Sequence, residues 1–257
     1  MINSLYYQDD FCNLYCGDCL DIMVLLSDIY IKFDAIITDI PYGTTACKWD
    51  TIIPLDKMWG LLKALRKANA PIGLFSIQPF TSVLTMSNIK EYKHEWIWNK
   101  EISGNFIQAK NTPLRTTESI TFFGDGKINY YPQIENAIIK NIRPQQSHYQ
   151  KTDFLGKVSS GKFIPKSDAT KRYPKHLLTF NARSGDCNSL NRLHPVQKPL
   201  KLMEYLIKTY TNENDIILDF ACGSGTTLLA AKNLKRKCYG IEIEEKYCEI
   251  TKNRLQQ

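Results

Sequence analysis

Ile216-Ile-Leu-Asp219-Phe220-Ala221-Cys-Gly223-Ser-Gly225-Thr226-Thr227 decides how this 257-residue chain is read. An aliphatic run ends on an acidic residue, passes through two glycines and enters a helical stretch from Thr226 to Leu234. Glycine at such a turn lets a ligand approach the backbone closely, and a helix N-terminus favours negative charge. Lys237-Cys-Tyr-Gly-Ile-Glu242 reads as the following strand, and Glu242 ends it, well placed to bond ribose hydroxyls. A dinucleotide fold wants a third glycine where Leu228 stands. Without it the helix is expected to sit farther from the strand, and no pyrophosphate cradle is needed.

Working outward, the same alternation recurs. Phe11 to Gly17 reads as a strand and Cys19 to Leu26 as a short amphipathic helix, with Asp18 at the junction where an N-cap belongs. Asp34 to Thr38 is a buried parallel strand. Gly43 to Asp50 is too polar and irregular for a periodic element. Pro54 to Ala68 and Pro79 to Ile89 read as helices around a strand at Ile72 to Ile77. Glu95 to Lys100 and Ser119 to Phe123 are strand-like. Pro199 opens an apolar-faced helix and Glu244 to Leu255 a charged one. The alternation indicates an α/β fold with a doubly wound, mostly parallel sheet.

Asp39-Ile40-Pro41-Tyr42 follows the Asp34 strand, at the edge where ligands bind in open α/β sheets. The quartet suits an exocyclic amino group on a flat base. Asp39 can accept one N–H bond, the Ile40 carbonyl a second, and Tyr42 can stack on the ring. Pro41 biases Ile40 toward an extended backbone.

Charge is unevenly distributed. The chain carries +7 in all. Residues 127–193 hold twelve Lys/Arg against four Asp/Glu, a net of +8, while the remainder holds 21 against 22. Gly, Pro, Ser, Asn and Lys interrupt every apolar pattern there, and only Tyr173 to Phe180 looks strand-like. Aromatics recur among the cations, at Tyr130, Tyr131, Tyr149, Phe154, Phe163 and Tyr173. Basic, loop-rich and aromatic describes a nucleic-acid surface; a solvated irregular insertion is the plainer alternative. Three divisions follow: 1–126 with the quartet, 127–193 as an inserted target-recognition region, and 194–257 with the glycine turn. No apolar run approaches a membrane span, and Met1 to Phe11 lacks the build of a signal peptide, so a cytoplasmic protein with no membrane partner is expected. Its eight cysteines are then reduced thiols. Cys12, Cys16 and Cys19 cluster, but no second pair at finger-like spacing follows, so no metal site is assigned.

Together these motifs resemble the amino-methylating DNA methyltransferases, whose signature is (Asp/Asn/Ser)-Pro-Pro-(Tyr/Phe). Ile40 departs from it while keeping the carbonyl through which the family acts. His194-Pro-Val-Gln-Lys-Pro199 is similar to the family's His-Pro-Thr-Gln-Lys-Pro, with Val196 losing a hydroxyl. The resemblance implies a circularly permuted Rossmann-like sheet of the β class, with S-adenosyl-L-methionine as cofactor and double-stranded DNA as substrate. It also implies cofactor contacts: Asp18 at the adenine, Cys19 and Asp39 among the binding residues, Lys198 at the carboxylate, and Asp219 at the methionine end or holding the loop. Phe220, Ala221, Gly223, Gly225 and Thr226 form that loop, and Glu242 meets the ribose. Relatives of this class suggest a homodimer; the sequence leaves open whether a restriction endonuclease accompanies it.

The expected chemistry is direct transfer of a methyl group from sulfonium to the amine of a flipped base, helped by positioning and charge placement. Asp at the first signature position favours adenine N6, because cytosine-N4 enzymes more often carry Ser. An RNA amino-methyltransferase and an inactive nucleic-acid-binding subunit are the competing readings. Cys47 has no base partner in Thr44-Thr-Ala-Cys-Lys48 and reads as a packing residue.

Overall fold

Short apolar runs and amphipathic stretches become strands and helices over the residues that a computed structural model describes, 4–44, 50–136, 171–187, 193–194 and 197–257. Leu5–Gln8 (β1) pairs antiparallel with Cys12–Cys16 (β2), and Cys19–Asp28 (α1) leads into Ala35–Thr38 (β3). Leu55–Leu65 (α2), Ile72–Ser76 (β4) and Phe80–Ser87 (α3) follow. Tyr92–Gly104 (β5) and Arg115–Phe123 (β6) form a long antiparallel pair. Glu135–Asn136 (β7) pairs with Lys171–Arg172 (β8), and Leu177–Thr179 (β9) comes next. The chain closes through Leu200–Tyr210 (α4), Ile216–Asp219 (β10), Thr226–Asn233 (α5), Lys237–Glu242 (β11) and Glu245–Leu255 (α6).

One nine-stranded sheet runs β1-β2-β11-β10-β3-β4-β6-β5-β9. Its five neighbours from β2 to β4 are all parallel. From β3 the chain moves to β4 on one side, and from β10 to β11 on the other. The order therefore reverses between β3 and β10, and the crevice of such a sheet opens at that point.

Period-two alternation assigns the two faces. On β3, Ala35 and Ile37 join the core beneath α4, α5 and α6, while Ile36 joins the one beneath α1, α2 and α3. Both cores are closed to solvent at their centres: Leu62, Leu206, Ile217 and Leu228 are wholly buried. A strand covered on both faces reads as a continuous apolar run, which is why β3, β4 and β10 were legible. β1 was not expected, because Leu5 to Gln8 is half-exposed and takes its strand geometry from β2 alone.

Two compact units are present, Met1–Tyr131 with Lys175–Gln257, and Pro132–Pro174. The smaller unit lies inside the 127–193 stretch that the sequence sets apart. Ile128 and Leu178 are buried in the core of the larger unit, and β9 pairs with β5. The strand-like stretch Tyr173 to Phe180 contracts to Leu177–Thr179, with Tyr173 mostly exposed. Cys47, Val196 and the lysine-rich residues 137–170 lie outside the described residues. Among the described residues no helix is long and apolar enough to cross a membrane.

Candidate active site

The carboxyl ends of β2, β11, β10 and β3 stand in a row, since each strand is the parallel neighbour of the next. That row brings Asp18, Glu242, Asp219 and Asp39 together from four distant stretches of sequence. They open on one cavity of about 840 Å³, which Cys19, Ile40, Pro41, Tyr42, Lys198, Phe220, Ala221, Gly223 and Thr226 also line. Gly225 is the one candidate residue outside its lining. It caps α5 instead, at φ +75°, and a Cβ there would come within 2.4 Å of Thr251 Cγ2.

On the β3 side, Asp39 is the hub. Tyr42 donates its hydroxyl to Asp39 Oδ1, and Lys198 donates to Oδ2. Lys198 Nζ lies 3.3 Å from Glu118 Oε2 and 5.1 Å above the Phe75 ring, with its side chain only 9% exposed. Lys100 donates to Glu118 Oε1 at 3.1 Å. Two anions and two cations therefore alternate, Asp39-Lys198-Glu118-Lys100, and each interior charge is compensated, as burial demands. Burial works against the charge on Lys198, yet Asp39 and Glu118 hold its pKa above the usual value. Burial likewise works to raise Glu118, but Lys198 and Lys100 bring it below the ordinary carboxylate range. Asp39 is the member pushed up, by burial first, with Lys198 opposing and Glu118 adding to the rise. Tyr42 was expected to offer its ring; the structure shows in addition that its hydroxyl orients the carboxylate.

On the β10 side, Asp219 accepts from Thr38 Oγ1 at 2.5 Å and from the Ala221 amide at 3.2 Å. The first bond spans the β3–β10 switch point; the second holds the turn. Burial pushes the Asp219 carboxyl up to about 6, against the hydrogen bonds from Thr227 and Thr38. Gly223, at φ +52°, donates its amide to Glu242 Oε2 at 2.8 Å, and Glu244 donates to Oε1 at 2.9 Å. Burial pushes the Glu242 pKa above the usual value, although the Ile243 amide also stabilises the carboxylate, and the side chain lines the cavity. Helix α6 braces the loop from behind, where Thr251 donates to the Gly223 carbonyl at 2.9 Å and Arg254 to the Ser224 carbonyl at 2.6 Å. Asp18 caps α1, accepting the Leu20 amide at 2.8 Å, and burial raises the Cys19 thiol to about 12. Leu228, which fills the third-glycine position, is received by Gly240 of β11; a Cβ on Gly240 would lie 2.5 Å from Leu228 Cδ2.

Sequence reasoning missed Asp50, Glu118 and Lys100. Asp50 accepts the amides of Tyr42, Gly43 and Thr44, all at 2.9 Å, and so fixes the loop after Asp39. Glu118 and Lys100 carried a signal. Trp96, Trp98, Ile120 and Phe122 all face one core, so Lys100 and Glu118 continue the buried faces of β5 and β6 with charges. No metal-holding group of three His, Cys, Asp or Glu occurs among the described residues.

A family model described as DNA methylase, N6_N4_Mtase, matches residues 33–253. The type II methyltransferase M2.LlaDCHI of Lactococcus lactis subsp. cremoris is 52% identical over 62 residues, 24% of this chain and 23% of its own length. Matches to the first curated relatives span under a quarter of those proteins, at 23%, 22% and 24%. Among solved structures, the M1.HpyAVI–SAM complex is 26% identical with a TM-score of 0.61, covering 96% of this chain and 100% of that one. The PvuII DNA methyltransferase (cytosine-N4-specific) shares the fold at 14% identity, with a TM-score of 0.67 over 98% of this chain and 88% of that one.

Proposed function

The chain belongs to the N6_N4_Mtase family of DNA methylases, and from that premise we propose that it moves the methyl group of S-adenosyl-L-methionine to adenine N6 of a base flipped out of duplex DNA. One observation carries the reading: Asp39 and the Gly223 loop, 184 positions apart in sequence, open on the same cavity at the sheet's switch point. A cavity of about 840 Å³ suits a nucleoside-sized cofactor together with a base. The donor set fits as well. Glu242 lines the cavity with a carboxylate suited to ribose hydroxyls, Asp18 and Cys19 flank the same space, and Gly223 presents no side chain to it. When bound there, S-adenosyl-L-methionine supplies an electrophilic methyl group.

The residues of the chain do the rest. Asp39 and the Ile40 carbonyl accept the two hydrogens of the exocyclic amine, which draws its lone pair out of the ring system. Tyr42 and Lys198 hold the Asp39 carboxylate in one orientation, so little reorganisation is needed as charge develops. The elevated pKa of Asp39 suits it to take up the proton that the amine gives up after transfer. Lys198, by family resemblance the partner of the cofactor carboxylate, can serve that role only while sharing its charge with Asp39 and Glu118. The Asp at the first signature position supports adenine over cytosine. The order of quartet before glycine loop supports the permuted β-class arrangement, and the basic stretch between them supports DNA reading there.

The test is methyl transfer from labelled S-adenosyl-L-methionine to duplex DNA, followed by mass analysis of the digested nucleosides. N6-methyladenine is the expected product. N4-methylcytosine would replace the adenine assignment, preference for RNA would replace the substrate, and absence of transfer to any acceptor would end the proposal.

A further inference from the structure

The β5–β6 hairpin ends in a tip unlike the surface around it. Phe106 is 62% exposed and Ile107 is 100% exposed. Yet they sit in an ordered turn: Gln108 donates its amide to the Asn105 carbonyl at 3.1 Å, Ala109 to Phe106 at 3.1 Å, and Asn111 to Gln108 at 2.8 Å. Asn105 closes the strand in the left-handed region, at φ +67°. A hydrogen-bonded turn thus presents two large apolar side chains to water. Their immediate neighbours, Asn105 and Gln108, line the active-site cavity. From Ile102 to Thr117 the sequence holds no acidic residue and two cations, Lys110 and Arg115, which suits a polyanion.

A base can enter the cavity only by leaving its duplex, and its departure strips the adjacent bases of a stacking partner. Proteins that distort DNA insert apolar side chains between base steps, and a side chain stacked on an exposed base face recovers part of the lost stacking. Resting on the reading that this chain methylates a flipped base in DNA, we propose that the Phe106-Ile107 tip enters the duplex and fills the gap the target base leaves. Position, turn geometry and charge all point to that occupant: the tip adjoins the cavity, is held by its own backbone bonds and lies in a stretch, 102–117, whose charged residues are Lys110 and Arg115.

The experiment uses the full chain and the methylated sequence found by mapping modified positions in DNA from an expressing host. Two duplexes carry that sequence, one with the target base paired and one with it opposite an abasic site. In Phe106→Ala/Ile107→Ala, transfer to the paired duplex is expected to fall roughly tenfold or more, the scale of a lost base-stacking contact. Transfer to the unpaired target should change little, and S-adenosyl-L-methionine binding by calorimetry should be unaltered. Phe106→Leu/Ile107→Leu should recover the paired rate. Equal losses on both duplexes, no loss on either, or weakened cofactor binding would overturn the wedge. An inactive wild-type protein would instead sink the methyltransferase reading, so the two failures are distinct.

Discussion

Asp39 meets two requirements at once: it is buried enough for its pKa to rise, and it is held by a hydroxyl and an ammonium so that it points one way. Asp39→Ala should leave cofactor affinity nearly unchanged and slow methyl transfer roughly 10²–10³-fold, the cost of removing one preorganised group; calorimetry and a tritiated-methyl assay read the two effects separately. Glu118 acts through charge. With Glu118→Gln the anion that helps raise Asp39 is gone, so Asp39 ionises at lower pH and the acid limb of the pH–rate profile should move down. A limb that stays put would detach Glu118 from the chemistry. Asp219 makes a prediction about stability. Its folded pKa of about 6 exceeds the ordinary carboxylate value, so the folded state binds this proton more tightly than the unfolded chain does. That stabilisation is complete below the unfolded value and is lost as pH rises through about 6. Asp219→Asn should therefore be more stable than wild type at pH 7.5, by up to about 3 kcal/mol, with the gap closing toward pH 4. Urea denaturation across that range is the check.

At the scale of elements, the contact between α5 and β11 shows how a motif's requirement can be met from the other side. The third glycine of a dinucleotide loop lets its helix come close to a strand. Here the helix carries Leu228, and the strand provides the glycine, Gly240. Gly240→Ala should cost about 1–3 kcal/mol through overpacking. Adding Leu228→Ala removes the atoms in the way, so the double variant should lose less than the sum of the singles. Strictly additive losses would show that the two residues do not touch. Glu118 follows the same logic: alternation with Ile120 and Phe122 puts it on the buried face of β6, and pairing opposite Trp98 brings it to Lys198, a partner that local periodicity does not show.

Across the whole molecule, the charge asymmetry sets the expected behaviour toward DNA. The body is close to neutral while residues 127–193 carry a net +8, so duplex affinity should fall steeply with salt. Replacing Lys151, Lys157, Lys162 and Lys166 by Gln should weaken duplex binding and flatten its dependence on salt, with S-adenosyl-L-methionine binding unaffected. Fluorescence anisotropy at several salt concentrations measures both terms, and an unchanged slope would remove the segment from the DNA interface.

Sequence alone determined the strand–helix alternation, the quartet after β3 and the glycine turn after β10, because each rests on local periodicity and on residue types with one steric or chemical purpose. Those signals survive without knowledge of neighbours. What only the tertiary structure decided is who meets whom: Lys198 against Asp39 and Glu118, Asp50 beneath the quartet, Thr38 across to Asp219, and Gly240 beneath Leu228. These pairs come from strands ordered by the winding of the sheet, and partners separated by tens to hundreds of residues leave no periodic trace in a single chain.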